Sequence, residues 1–368
     1  MFLPEGSQDQ IGEKLDAQAK VNEIFRKVVK RRNYLAIETP VVEYAQTFTN
    51  PTVGMEANKL LKWFDSDGEI EVLRADWTIA IARALMTKNP KKTKWFYQGS
   101  VFHKDENGIE SQQAGIEIIR TDVLLGEMET LFTAIDVLNE LKINDYLIEL
   151  GHTGIFDYLI KPLSLSQSEE EKLRIAMDDK QEDVVFSIVS ERGNKAIAYE
   201  LVDLIQAYGG DDILEKYRQK WNGTDELVEI INHLDQLMTS LKELGVEDVI
   251  VDLGSVRKLR YYSGTMFSGY LKQNGDICFS GGRYDRLYNQ FDRNISAVGL
   301  AFYVDVLSKT INPNVQQEQI CIVASPQTHV KAERMRAKFP NAQIDILYNY
   351  PTDEQYDKII NLIDEVSL

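Results

Sequence analysis

Gln113 and Glu117 stand four residues apart in SQQAGIEII, a stretch otherwise made largely of small and apolar residues. In a strand, that spacing aims both side chains at one face of the sheet. An amide and a carboxylate among apolar neighbours suit a buried polar pocket, because buried polar groups require partners. The plainer reading is a solvent-facing strand edge, and the pattern alone favours it. At LRADWT, Asp76 and Thr78 read most simply as a helix N-cap and an early helical residue. The same two side chains are able to present a carboxylate and a hydroxyl to a ligand ammonium. In SGGRYDRL, Gly281 and Gly282 mark either a tight turn or a place where backbone approaches a ligand closely. VRKLRYYSGTMF poses a similar choice: Tyr261 and Tyr262 fit a strand with an aromatic on each face, but Arg257 in a run that otherwise looks buried points to a pocket wall.

Nothing in the chain has the grammar of a nucleophile or a metal site. His103, His152, His233 and His329 are scattered without ligand spacing, and HxxxH, CxxC and GxSxG are missing. His233 falls inside a helical pattern and His329 at the start of one, so both read as structural. Neither GxxxxGK[ST] nor GxGxxG occurs, which excludes the common phosphate loops. No metal and no cofactor are expected.

Several elements must hold these residues. Ala17, Val21, Ile24, Phe25 and Val28 recur at helical spacing and predict a helix through about Arg32. NYLAIETPVVEY is extended and interrupted at Pro40, as at a sheet edge or between two short strands. LLKWF and EIEVL flank DSDG as a hairpin, and RADWTIAIARALMT opens a helix. KWFYQGSVFH and IESQQAGIEIIR read as antiparallel strands around KDENG, followed by a helix at ETLFTAIDVLNELKI and a strand at DYLIELGHTG. Between 155 and 247 helical periodicity dominates, most clearly in Leu227, Ile230, Ile231, Leu234, Leu237, Met238 and Leu241. Strands resume at VEDVIVDLG, YSGTMFSGYL and DICFSGG, and a helix is expected near AVGLAFYVDVLSK. The tail reads strand, helix, strand, helix, the last helix at DEQYDKIINLIDEV. The expected fold is therefore α+β: a mixed, mainly antiparallel sheet with flanking helices. Its expected parts are a core in two pieces (1–154 and 248–312), a helical insertion (155–247) and a small C-terminal α/β appendage (313–368).

With 368 residues, 43% apolar and 27% charged, the chain has material for a substantial core. A net charge of −17 argues against a protein whose main task is gripping a polyanion. The basic run KNPKKTK, Lys88 to Lys94, reads as a solvated loop after a helix. Cys278 and Cys321 lie in apolar, strand-like contexts and read as small hydrophobes. With no signal-like N-terminus and no long apolar window, no membrane partner and a cytoplasmic location are expected.

Taken together and in order, these pieces resemble the catalytic core of the histidyl-tRNA synthetases, a class II aminoacyl-tRNA synthetase fold. LPEGSQD and NYLAIETPVVEY resemble that family's start and its dimer-forming motif 1, with Pro40 in place. LRADWT is similar to LRPEGT, and YQGSVFH through QQAGIE stands where motif 2 runs. VRKLRYYSGTMF resembles the histidine-specific signature RGLDYYTGTVFE, and SGGRYDRL with AVGLAF resembles the stretch through motif 3. The resemblance implies a histidine-binding set of Asp76, Thr78, Gln113, Glu117, Arg257, Tyr261 and Tyr262. Asp76, Thr78 and Gln113 would face the ammonium, Glu117 and Tyr262 the imidazole, Tyr261 the wall and Arg257 the carboxylate. Lys258 and Arg260 replace the Gly and Asp of the signature.

The departures from that pattern fall on the ATP side. Where the family carries one arginine in motif 2 and another in motif 3, this chain has His103 and Val306. Guanidinium forks of this kind hold phosphate bidentately, and losing one oxyanion-type donor costs roughly 100- to 1,000-fold in rate. The tail is also shorter than an anticodon-binding domain, so tRNA is not an expected partner. This combination resembles the regulatory subunits of ATP phosphoribosyltransferase, the first enzyme of histidine biosynthesis. It implies a non-catalytic chain that pairs through motif 1, joins a short catalytic subunit in a hetero-octamer, and takes part in feedback by histidine. The alternative is a divergent histidyl-tRNA synthetase.

Overall fold

The computed structural model describes residues 2–104, 108–256, 261–289, 294–312, 318–352 and 356–363. Arg257, Lys258 and Arg260 lie outside the described residues. The chain divides into two compact units, Met1–Ile311 and Asn312–Leu368.

The larger unit opens with α1 (Glu13–Arg31), β1 (Leu35–Ala36), β2 (Val42–Tyr44), the short α2 (Gln46–Thr49), the hairpin β3 (Lys62–Phe64) and β4 (Ile70–Leu73), and α3 (Trp77–Lys88). Strands β5 (Lys94–Val101) and β6 (Ser111–Ile119), helix α4 (Val123–Glu140) and strand β7 (Tyr146–His152) follow. The helical stretch comprises α5 (Thr153–Ile160), α6 (Gln167–Asp178), α7 (Glu182–Ser190), α8 (Lys195–Ile205), α9 (Asp211–Lys220) and α10 (Asp225–Glu243), with a two-residue strand β8 (Tyr208–Gly209) between α8 and α9. Strands β9 (Val249–Asp252), β10 (Thr265–Leu271) and β11 (Ile277–Arg283), helix α11 (Asp285–Asn289), strand β12 (Ala297–Tyr303) and helix α12 (Val304–Leu307) complete the unit.

Its main sheet runs β1-β5-β6-β12-β11-β10-β7-β9-β8. All neighbours are antiparallel except β1 with β5 and β7 with β9. Pro40 separates β1, which joins this sheet, from β2, which joins the small sheet β2-β4-β3. The period of two along β6 divides the molecule. Ala114, Ile116 and Ile118 enter the helix-covered core with Phe25, Leu131 and Leu234, while Ile119 enters a second core with Trp77, Tyr261 and Tyr284. The stretch 155–247 contributes Leu201, Leu234 and Leu241 to the first of these cores and lays β8 on the sheet edge, so it packs as part of the unit.

Two expectations give way. AVGLAFY is no helix but the central strand β12, paired with both β6 and β11, and the helix begins only at Val304. A strand covered on both faces is a continuous apolar run, which periodicity cannot separate from a buried helix. In the smaller unit β13 (Gln319–Val323), α13 (His329–Arg336) and β14 (Gln343–Leu347) occur as read, but the last element among the described residues is β15 (Lys358–Asn361), parallel to β13. Ile359 and Ile360 are β-branched and suit a strand, and this placement buries Leu362 with Ile320 and Ile322.

Candidate functional site

Helix α3 starts at Asp76, whose Oδ1 accepts from the Ile79 backbone N–H at 2.8 Å. The cap is real, yet the same carboxylate lines a cleft of about 310 Å³ in the larger unit, together with Thr78, Gln113, Tyr261 and Tyr262. Five residues separated by up to 186 positions in sequence thus share one cavity. Burial, partly offset by the bond to Ile79 and by the nearby His103, raises the Asp76 carboxyl above the usual carboxylate range.

Glu117 lies directly beneath the lining. It is fully buried; Oε1 accepts from Thr78 Oγ1 at 2.7 Å, and Oε2 accepts from the Tyr284 hydroxyl. Burial pushes its carboxyl up to about 8, with the two hydroxyl donors opposing and the Asp76 charge adding to the rise. Burial also holds the phenols of Tyr97, Tyr261 and Tyr284 well above their ordinary values, so they remain donors at neutral pH. The solvent-edge reading of Gln113 and Glu117 fails because β6 is an interior strand, flanked by β5 and β12.

The floor is built from small residues. A Cβ on Gly299 would sit 1.9 Å from Glu117 Oε2, and one on Gly115 would sit 2.3 Å from the Tyr97 ring. These glycines let the carboxylate and the phenol lie flat across neighbouring strands. Tyr97 stacks on Trp77 at 4.9 Å, and the Arg74 guanidinium lies over the same indole at 3.4 Å. Arg74 is spent on backbone carbonyls of Thr39, Pro40 and Ser100. Among the described residues lining the cleft there is no Lys, Arg or His, whereas Asp76 and Asp178 both line it. Such a surface attracts a cation that also carries hydrogen-bonding nitrogen.

Sequence reasoning missed Tyr97, Asp178, Ser280, Tyr284 and Tyr303. Tyr284 lies in SGGRYDRL, flagged only for its glycines. Gly281 lines the cleft, and Gly282, at φ 155°, leaves no room for a Cβ beside the Thr265 carbonyl. Asp178 carried a readable signal: it ends α6, where an acidic side chain opposes the helix dipole. Arg174, one turn earlier, bonds Asp157, which also holds Arg286, and Arg286 reaches the Tyr262 carbonyl at 3.4 Å.

His103 and Val306, the two positions expected to stand in place of the family's arginines, do not line the cleft. His103 forms an isolated bridge with Leu60 just after β5. Val306 packs against the helix-covered core. Among the described residues no group of His, Cys, Asp and Glu suited to a metal occurs, and no helix is long and apolar enough to cross a membrane. Cys278 and Cys321 are free and buried. In the basic run, Lys94 is tied to Glu129 at 2.6 Å.

Comparison with known proteins agrees with this geometry. The histidyl-tRNA synthetase family profile matches residues 6–307. An ATP phosphoribosyltransferase regulatory subunit from Acetivibrio thermocellus is 30% identical over 85% of this chain and 77% of its own length. One from Bacillus cereus is 31% identical over 86% and 76%. Among solved structures, an ATP phosphoribosyltransferase regulatory subunit/histidyl-tRNA synthetase from Bacillus halodurans superposes with a TM-score of 0.83 at 25% identity, covering 98% of each chain. A histidyl-tRNA synthetase from Nostoc shares the fold at a TM-score of 0.76 and 17% identity, over 96% of this chain and 87% of its own. The mixed sheet and the cleft on its face define a class II aminoacyl-tRNA synthetase-like fold. The chain belongs to the histidyl-tRNA synthetase family, among the ATP phosphoribosyltransferase regulatory subunits.

Proposed function

We propose that this chain is the regulatory, non-catalytic subunit of ATP phosphoribosyltransferase in the first step of histidine biosynthesis. It supports a separate short catalytic subunit and takes up histidine in the cleft of Asp76, Thr78, Gln113, Tyr261 and Tyr262 over Glu117, with Arg257 meeting the carboxylate. One observation carries the reading: the cleft keeps acidic and phenolic groups and has no cationic side chain among its described lining residues, while position 306 is a partly buried valine packed against the core. A ligand with an ammonium group and ring nitrogens fits such a surface, and a triphosphate does not.

Copies of the chain pair through the motif 1 region, and pairs assemble with the catalytic subunit into a hetero-octamer. Support for pairing comes from the small sheet β2-β4-β3, one face of which exposes Val42, Tyr44 and Trp63, the last two opposite Glu71. Isolated exposed apolar residues are ordinary, but a group on one sheet face marks an interaction site.

The test is to mix the purified chain with its short-form catalytic subunit and to measure phosphoribosyl-ATP formation with and without histidine. Activation on mixing and inhibition by histidine are expected; no activation would sink the proposal. Histidine-dependent ATP–pyrophosphate exchange by the chain alone would instead establish the divergent synthetase.

A further inference from the structure

The pairing of β6 with β12 measures the cleft along its floor. Glu117 stands opposite Gly299, and Gln113 stands opposite Tyr303, four residues further along. At strand rise this is about 13 Å. On the cleft face β12 presents Gly299, then Ala301, then Tyr303: two small residues and a large one. On the other side of β12, Ser280 pairs with Ala301, and its Oγ lies 2.8 Å from the Tyr303 hydroxyl. To make that bond the Tyr303 ring must lean back across the strands over Ala301. The result is a bar across one end of the floor.

We propose that Tyr303, braced by Ser280, restricts the cleft to a free amino acid and rejects ligands extended at the carboxylate. The inference rests on the histidine reading of the cleft. An imidazole at the Glu117 end directs the amino-acid end of the ligand toward Gln113 and Tyr303, with the ammonium at Gln113, and any group attached to the α-carboxylate meets the phenol ring. The volume agrees: about 310 Å³ is at the small end of the roughly 300–1,000 Å³ of small-molecule sites. It holds one amino acid and not an amino acid joined to a nucleotide. Loss of the arginine at 306 removes phosphate binding, and the Tyr303 bar independently removes the space, so the pocket reports free histidine.

The experiment is calorimetric titration of the full chain with L-histidine, L-histidinamide and L-histidine benzyl ester. The amide and the ester both lack the carboxylate charge, so their difference reads the added group and not the charge. In the wild type the ester is expected to bind at least about tenfold more weakly than the amide, a discrimination typical of steric exclusion in a pocket. Tyr303→Ala should shrink that gap to about threefold or less, and Tyr303→Phe, which keeps the ring, should preserve most of it. Equal binding of amide and ester to a wild type that binds histidine would overturn this proposal alone. A gap unchanged by Tyr303→Ala would also overturn it. Failure of the wild type to bind histidine at all would overturn the histidine reading and this one with it. The wild-type comparison needs no variant, so it decides the matter even if Tyr303→Ala does not fold.

Discussion

Glu117 and Glu127 are ten residues apart, both fully buried, and treated in opposite ways. Glu127, on α4, receives cationic or ring nitrogen partners from the chain itself: His233 Nε2 at 2.5 Å and Arg283 Nη1 at 3.4 Å. Arg283 is held in turn by Asp285 at 2.8 Å, and His152 packs edge-on against His233. Glu117, on β6, receives the hydroxyls of Thr78 and Tyr284 and, among the described residues, no cation, beneath an open cleft. Hydroxyls satisfy hydrogen-bonding capacity without neutralising charge, so burial raises its carboxyl to about 8. Where the chain completes a buried carboxylate with its own cation, the site is structural. Where it leaves the carboxylate to hydroxyls beside a cavity, the proposed function has the complement come with the ligand.

The sharpest way to break this comparison is to truncate each glutamate. Glu127→Ala leaves Arg283 buried without its second carboxylate, and unfolding in urea should show a loss of about 3–5 kcal/mol. Glu117→Ala leaves only hydroxyls unsatisfied, which costs about 1–3 kcal/mol. Its main effect should appear in calorimetry, as a fall in histidine affinity of about a hundredfold, on the scale of a charged hydrogen-bonding partner lost from a buried site. If histidine binding instead survived Glu117→Ala and vanished in a folded Glu127→Ala protein, the two roles would be exchanged.

A smaller effect sharpens the ligand side. Arg257→Ala or Tyr262→Phe should raise the histidine concentration needed for inhibition by about tenfold, equivalent to about 1.4 kcal/mol. Activation of the catalytic subunit without histidine should stay near the wild-type level, as measured by phosphoribosyl-ATP formation. Equal loss of both would place these residues in the subunit contact.

The smallest effect is a slope. The Glu117 carboxyl is raised from 4.5 to about 8 on folding, so the folded chain holds a proton that the unfolded chain releases. That contribution is complete below 4.5 and is lost as pH rises toward about 8. His152 works in the other direction. Burial lowers it from 6.5 to about 4, so its contribution is present above 6.5 and is lost as pH falls toward about 4. Thermal unfolding followed from pH 5 to 8 should therefore show Glu117→Gln gaining stability relative to wild type as pH rises. His152→Asn, which keeps a cap for Gly154, should lose the acid-side decline. Parallel curves for Glu117→Gln and wild type would show that the carboxyl is ionised throughout.

Much of this was legible in the sequence, for reasons of period. A strand repeats every two residues, so Gln113 and Glu117 had to share a face once SQQAGIEII was read as a strand. An acidic residue before an apolar helical run had to be weighed as a cap, and Asp76 is one. The turn DSDG between extended runs likewise marked the β3–β4 hairpin, where Asp65 Oδ1 accepts from the backbone of Asp67 and Glu69. Periodicity fell silent for AVGLAFY, which is covered on both faces, and for KIIN, whose strand exists only because β13 has an edge to fill.

By itself the sequence determined the local rules: which residues face together along one element and where helices start. Only the tertiary structure decided that β12 lies between β6 and β11. That order puts Gly299 under Glu117, Tyr284 against it and Tyr303 across from Gln113, joining residues more than 160 positions apart. Strand order is set by burial of whole faces and by hydrogen bonding between distant segments, and neither leaves a periodic trace in the segment itself. That no cation among the described residues stands beside Glu117 could be seen only there, because it is a property of neighbours in space.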